Sequence, residues 1–221
     1  MLDHGFVRLD GVMADDLSVV NSARVSFGRR VTELGDADAG LIRFLMRERH
    51  GTPFEHNSFR FHIRCPIFVA REWFRHRVGS FNEFSMRYAR ATDDFYVPEP
   101  DDVRTQVGKP GAYTFEPVDP GVAEQTREEL RAVYDAAFET YERLVELGVA
   151  RELARCVLPV GAYTEFYWTI NARSLMNFVS LRASETAQRE IRRYAEACEV
   201  FLAEKMPITH AAFVANDRTA P

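Results

Sequence analysis

The sequence predicts an α+β fold: a mostly antiparallel sheet flanked by long helices, in a single domain over residues 1–221. Three observations carry this. Strand-like stretches are few, and long helical stretches separate them. Two of them alternate aromatic or apolar residues with smaller or polar ones, the period of a sheet with one buried face. No Gly-x-Gly-x-x-Gly run occurs, which disfavours a dinucleotide-binding fold of parallel strands. With 221 residues, 46% of them hydrophobic and 12% aromatic, the chain is long and apolar enough to bury a core.

The elements follow in order. Asp15 to Phe27 reads as a helix capped by Asp15 or Asp16. Asp36 to His50 is a second, with Leu41, Ile42, Leu45 and Met46 on one side and Gly51 as its stop. Thr52-Pro53-Phe54-Glu55 has the spacing of a capping box with proline at the first helical position. In the strand Ser58 to Cys65, Phe59, Phe61, Ile63 and Cys65 alternate with Ser58, Arg60, His62 and Arg64. A helix follows from Pro66 through Arg75. Alternation from Ser85 to Arg90 suggests a short strand with Ser85 and Arg87 on one side. Residues 92–120, rich in Pro, Gly and Asp, read as an irregular insertion. Gly121 to Leu147 is a long helix closed by Gly148, and Arg151 to Val157 a further short one. Tyr163 to Asn171 is a strand with aromatic alternation. Asn171 caps a helix running to Leu181 or Arg182. Ser184 to Met206 is the last long helix, and the tail from Asn216 reads as frayed.

Net charge is −5, a poor basis for general binding of duplex nucleic acid but compatible with a local basic pocket for one nucleotide. The N-terminus has no signal-peptide pattern and no apolar run is long enough to span a bilayer, so the expectation is a cytoplasmic protein with no membrane and no nucleic acid among its partners. Cys65, Cys156 and Cys198 are far apart and form no Cys-x-x-Cys pair; neither a metal site nor a disulfide framework is indicated. Cys65 falls on the apolar face of its strand, where a thiol is usually inert.

The richest stretch is Arg75-His76-Arg77-Val78-Gly79-Ser80-Phe81-Asn82-Glu83-Phe84-Ser85-Met86-Arg87-Tyr88. Three potential cations within one helical turn repel one another unless an anion is near. Guanidinium groups pair with phosphate oxygens, so the cluster reads as an anion site. A basic helix end can also simply complement the helix dipole.

The full string resembles the Arg-His-Arg-x7-Ser signature of flavin-dependent thymidylate synthases. Further blocks resemble that family in its order: Ala23 to Phe27, His50 to His56, Pro66 to Arg71, Ala154 to Pro159 and Asn171 to Phe178. The resemblance implies a reaction. Deoxyuridine monophosphate (dUMP) and 5,10-methylenetetrahydrofolate give thymidylate and tetrahydrofolate, with FAD as hydride source and NADPH as its reductant. It also implies a homotetramer whose sites lie between subunits. Ser26, Thr52, Arg75, His76, Arg77, Glu83, Asn171, Arg173 and Asn177 match flavin-contacting positions. Glu72, Arg75, Glu83, Phe84, Ser85, Met86, Arg87, Arg155 and Arg182 match the segments that hold dUMP. Arg182 matches the position credited with activating the pyrimidine. Arg173 and Asn177 are four apart, which puts them on one helix face. Glu72 stands where many members have Gln, and Thr186 where some have His. Other readings are an NADPH-dependent flavin oxidoreductase without methyl transfer, and a non-catalytic nucleotide- or RNA-binding module.

Overall fold

The computed structural model describes residues 1–221. In chain order it contains β1 (Phe6–Met13), α1 (Asp16–Arg24), α2 (Asp36–Arg47), α3 (Thr52–Glu55), β2 (Ser58–Pro66), α4 (Ile67–Trp73) and β3 (Ser80–Glu83). Then come β4 (Arg104–Lys109), β5 (Ala112–Pro117), α5 (Pro120–Glu146), α6 (Arg151–Ala154), β6 (Tyr163–Asn171), α7 (Ala172–Arg182), α8 (Arg189–Lys205) and α9 (Pro207–Ala215). The chain is α+β, with a sheet of order β1-β2-β6-β3 and a separate β4-β5 pair. The pairs β1-β2, β3-β6 and β4-β5 are antiparallel.

Contacts divide the chain into two compact units. The first comprises Met1–Cys65, Val69–Glu83 and Glu165–Pro221. Its core forms where the alternation of β2 and β6 predicts: Phe59, Phe61, Ile63, Cys65, Phe166, Trp168 and Ile170 are buried, while Arg60 and Tyr167 between them are exposed. Helix α7 packs on α8 and contributes Leu175, Phe178 and Val179; α8 contributes Ile191, Tyr194, Cys198 and Leu202. Trp73, at the end of α4, stacks on Phe178 at 4.7 Å and meets Trp168 edge-on at 5.3 Å. Such aromatic contacts fix the end of α4, and with it the start of the Arg-His-Arg string.

Several sequence expectations are corrected here. β1 is a strand that the sequence reading passes over, because a register shift between Leu9 and Gly11 breaks its alternation. Asp15 does cap α1, accepting from the Ser18 amide at 2.5 Å. Thr52 and Glu55 form no capping box: Gly51 is the cap residue, and no side chain caps α3. The strand expected at Ser85–Arg90 lies earlier, at β3, pairing Ser80 with Thr169 through Glu83 with Phe166. The proline after Met206 ends α8 and opens α9, since proline suits a first helical turn but interrupts an interior one. The tail is not frayed. Arg218 Nε donates to Glu199 Oε1 at 3.1 Å, and Pro221 is buried.

The second unit comprises Pro66–Phe68 and Phe84–Thr164. Residues Ser85–Arg90 form a turn here, the Ser85 carbonyl accepting from the amides of Tyr88 (3.0 Å) and Ala89 (3.1 Å). The segment 92–120 is not wholly irregular. It holds the β4-β5 hairpin, paired from Arg104–Pro117 to Lys109–Ala112, with Gly108 and Gly111 at positive φ where the chain reverses. Helix α5 starts at Pro120 behind the Asp119 cap, and Gly148 beyond its end has φ +85°. Tyr141 of α5 is fully buried among Met86, Ala91 and Ala154, its hydroxyl accepting from the Ala91 amide at 3.1 Å. No helix is long and apolar enough to cross a membrane.

Candidate active site

The first unit contains an open cavity of about 730 Å³ whose lining is rich in guanidinium groups: Arg49, Arg75, Arg77, Arg173 and Arg182. The end of α4 delivers Arg75, His76 and Arg77, with the turn closed by Arg75 N to Glu72 O (3.3 Å) and His76 N to Trp73 O (3.0 Å). Helix α7 delivers Arg173 and Asn177 from one face, as their spacing predicts, and Arg182 from its last residue. Asn171, the residue before α7, accepts from the Ser174 amide at 2.8 Å; its side-chain oxygen caps the helix and so sets the phase of that face.

Arg173 is held tightly. Its Nη1 donates to Glu55 Oε1 at 2.6 Å and its Nε to the Pro221 main-chain oxygen at 2.8 Å. Gly51 makes room for it: a Cβ there would lie 2.4 Å from Arg173 Nε. Deeper in, Arg182 Nη1 donates to Glu72 Oε2 at 2.9 Å, and its Nε to His76 Nε2 at 3.0 Å. His76 also meets the Phe178 ring edge-on at 5.0 Å. Burial, then the Arg182 charge, brings the His76 pKa down to about 4. At neutral pH His76 is therefore uncharged, an acceptor at Nε2 with its proton on Nδ1.

Four of the residues matched to the flavin do not line this cavity: Ser26, Thr52, Glu83 and Asn171. Ser26, Thr52 and Glu83 are exposed elsewhere in the first unit. Of the positions matched to dUMP, Glu72, Arg75, Glu83 and Arg182 belong to the first unit, and Phe84, Ser85, Met86, Arg87 and Arg155 to the second. There the turn puts Arg87 Nε 3.2 Å from Ser85 Oγ, with the Arg87 guanidinium 4.9 Å from the Tyr88 ring centroid. Met86 is packed into that unit's core, and Arg155 is exposed, donating to the Glu152 carbonyl at 3.3 Å. Sequence reasoning missed Arg49 and assigned Glu55 only a capping role. Arg49 has φ +57°, a left-handed turn residue just before Gly51 whose chemistry the residue type does not announce. No group of three His, Cys, Asp or Glu side chains is placed to hold a metal ion.

An α+β unit that turns a row of guanidiniums into one cavity presents donors whose chemistry suits an anionic ligand. Comparison with known proteins gives the class its name. A family profile described as thymidylate synthase complementing protein matches residues 9–208. The flavin-dependent thymidylate synthase of Thermosipho melanesiensis is 46% identical over 214 residues, covering 97% of this chain and 92% of the relative. That of Tropheryma whipplei (strain TW08/27) is 47% identical over 222 residues, covering 94% and 91%. Among solved structures, the UMP/dUMP methylase PolB from Streptomyces cacaoi bound with 5-Br UMP superposes with a TM-score of 0.92 at 45% identity, covering 98% of this chain and 96% of that one. This chain belongs to the flavin-dependent thymidylate synthase family.

Proposed function

We propose that the protein reductively methylates dUMP to dTMP, with 5,10-methylenetetrahydrofolate as carbon donor and NADPH as the reductant of a bound FAD. The observation that carries this reading is the arginine-lined cavity, assembled from the signature Arg75-His76-Arg77 and from α7. Its donor set fits a flavin dinucleotide. Guanidiniums suit a diphosphate, and Arg173 already takes a carboxylate and a main-chain oxygen as ligands. Arg75, Arg77, Arg173 and Asn177 would hold the cofactor, with Ser26, Thr52, His76, Glu83 and Asn171 assigned to it by family resemblance. The flavin supplies hydride transfer, while the protein binds and orients. Assembly as a homotetramer and a cytoplasmic location are part of the reading; three free cysteines suit a reducing compartment.

Carbon 5 of uracil is a weak nucleophile until the ring is polarised. A thiol adduct would do this, but Cys65 and Cys198 are buried, and burial pushes both thiols up in pKa, away from the reactive thiolate. Cys156 is exposed in the second unit and outside the signature. We assign ring activation to Arg182, whose charge-directed N–H bonds can stabilise negative charge developing on the pyrimidine. Ser85 and Arg87 are assigned to the phosphate. The variant with all three cysteines changed to Ala is expected to keep at least about half the wild-type turnover once its flavin content is matched, as removed thiols at packed sites cost stability rather than chemistry. Loss of turnover in a folded, flavin-loaded triple variant would contradict this.

Gly51→Ala is expected to fold normally but hold flavin roughly tenfold more weakly, because the new methyl pushes Arg173 out of its charge-assisted contacts. Absorbance-measured flavin per chain, beside a melting curve, checks this. The function itself is tested by the visible spectrum of the purified protein titrated with dUMP, followed by turnover with the folate and NADPH. Because a 45% identical structure is that of a UMP/dUMP methylase, UMP is assayed in parallel. NADPH consumption that needs neither nucleotide nor folate would favour the flavin oxidoreductase instead.

A further inference from the structure

We infer that Glu72 and His76 are positioning residues that clamp the Arg182 guanidinium in its working orientation, so that Glu72 acts through Arg182 rather than on the nucleotide. This rests on the role proposed above for Arg182. Each of its three nitrogens has a partner, and all the partners come from the end of α4. Nε donates to His76 Nε2 (3.0 Å), Nη1 to Glu72 Oε2 (2.9 Å) and Nη2 to the Glu72 carbonyl (3.2 Å). A guanidinium has five N–H bonds, so two remain for a ligand. Because the fork is planar, fixing three of its bonds fixes where the other two point.

The clamp is sheltered: the side chains of Arg182 and Glu72 are 23% and 27% exposed. The charged groups facing Glu72 are Arg182 from α7 and Glu190 from α8, while His76, just beyond the helix of Glu72, shares Arg182 with it. Burial raises the Glu72 pKa, Arg182 lowers it and Glu190 raises it again, and the net direction is upward. The sign is informative. A carboxylate whose folded pKa lies above its unfolded one loses stability as pH rises through that window. Ionising Glu72 thus costs the fold stability rather than adding to it. His76 contributes as a neutral acceptor. A charged imidazole there would have no lone pair at Nε2 and would repel the guanidinium.

The test is steady-state kinetics on wild type, Glu72→Gln, Glu72→Ala, Arg182→Lys and the Glu72→Ala/Arg182→Lys double variant, each at matched flavin content. Affinity for dUMP is read separately from the flavin spectrum. Glu72→Ala is expected to lower kcat roughly tenfold or more while the dUMP Kd stays within about threefold, since misorientation of a catalytic group costs rate more than binding. Glu72→Gln keeps an acceptor oxygen and should recover most of that loss. In the Arg182→Lys background, Glu72→Ala should cost less than about twofold more, because the group it positions is gone. A raised Kd with unchanged kcat, a Gln variant as slow as the Ala variant, or equal losses in both backgrounds would each overturn the inference. Wild type with no dUMP-dependent turnover would instead bring down the proposed function. The melting temperatures of the same proteins then decide the clamp, which predicts non-additive shifts and is refuted by additive ones.

Discussion

Arg182→Lys is expected to lower the maximal rate of dUMP methylation about a hundredfold or more, the usual cost of losing one charge-directed donor at a reacting centre. The geometry explains why lysine cannot substitute. Three nitrogens of one plane reach His76 Nε2, Glu72 Oε2 and the Glu72 carbonyl, while N–H bonds remain for the pyrimidine. A single ammonium cannot meet all of these and still present a planar fork. The matched control is Arg87→Lys. Arg87 sits on an exposed turn beside Ser85 and Tyr88, and its proposed ligand, the phosphate, does not change during the reaction. A lysine keeps a point charge, so KM for dUMP should rise while kcat stays near wild type. Saturating-substrate kinetics with bound flavin measured for each variant gives the comparison. A near-normal kcat in Arg182→Lys together with its loss in Arg87→Lys would exchange the two roles.

The largest effect on stability is expected at Asp16, far from this chemistry. Asp16 opens α1 but is 4% exposed, and its carboxylate serves α9. Oδ2 accepts from the Ile208 amide at 2.8 Å; Oδ1 accepts from the Thr209 amide at 2.8 Å and the Thr209 hydroxyl at 2.6 Å. The first amides of a helix have no partner within it, and a buried anion at the positive end of the dipole satisfies them. Asp16→Ala strands three donors at a buried junction, for an expected loss of about 3 kcal/mol. In a chain of this size that corresponds to a fall in melting temperature of roughly 6–12 °C. Asp16→Asn keeps one acceptor oxygen and should fall between wild type and Ala. Thermal or denaturant melts measure it, and an Ala variant melting within about a degree of wild type would show that α9 is held by its apolar face alone.

The sequence alone determined the features whose causes lie within a few residues. The alternation of β2 and β6 is local, and so is the buried face it predicts. Asn171 caps α7 through an amide three residues on, and this phase places Arg173 and Asn177 in the lining of one cavity. Gly148 marks the end of α5 by dihedral preference alone. Only the tertiary structure decided pairings between distant segments. The carboxylate of Glu55 has the spacing of a capping box but a better partner in Arg173, 118 residues away. Asp16 caps a helix 192 residues on instead of its own. The strand beside β6 formed at Ser80–Glu83 and left Ser85 to a turn, because strand placement depends on which backbone groups a neighbour offers. Glu72, His76 and Arg182 meet only because Trp73 and Phe178 stack and bring the end of α4 against α7. In each case the residue type announces hydrogen-bonding capacity, and the topology selects which partner uses it.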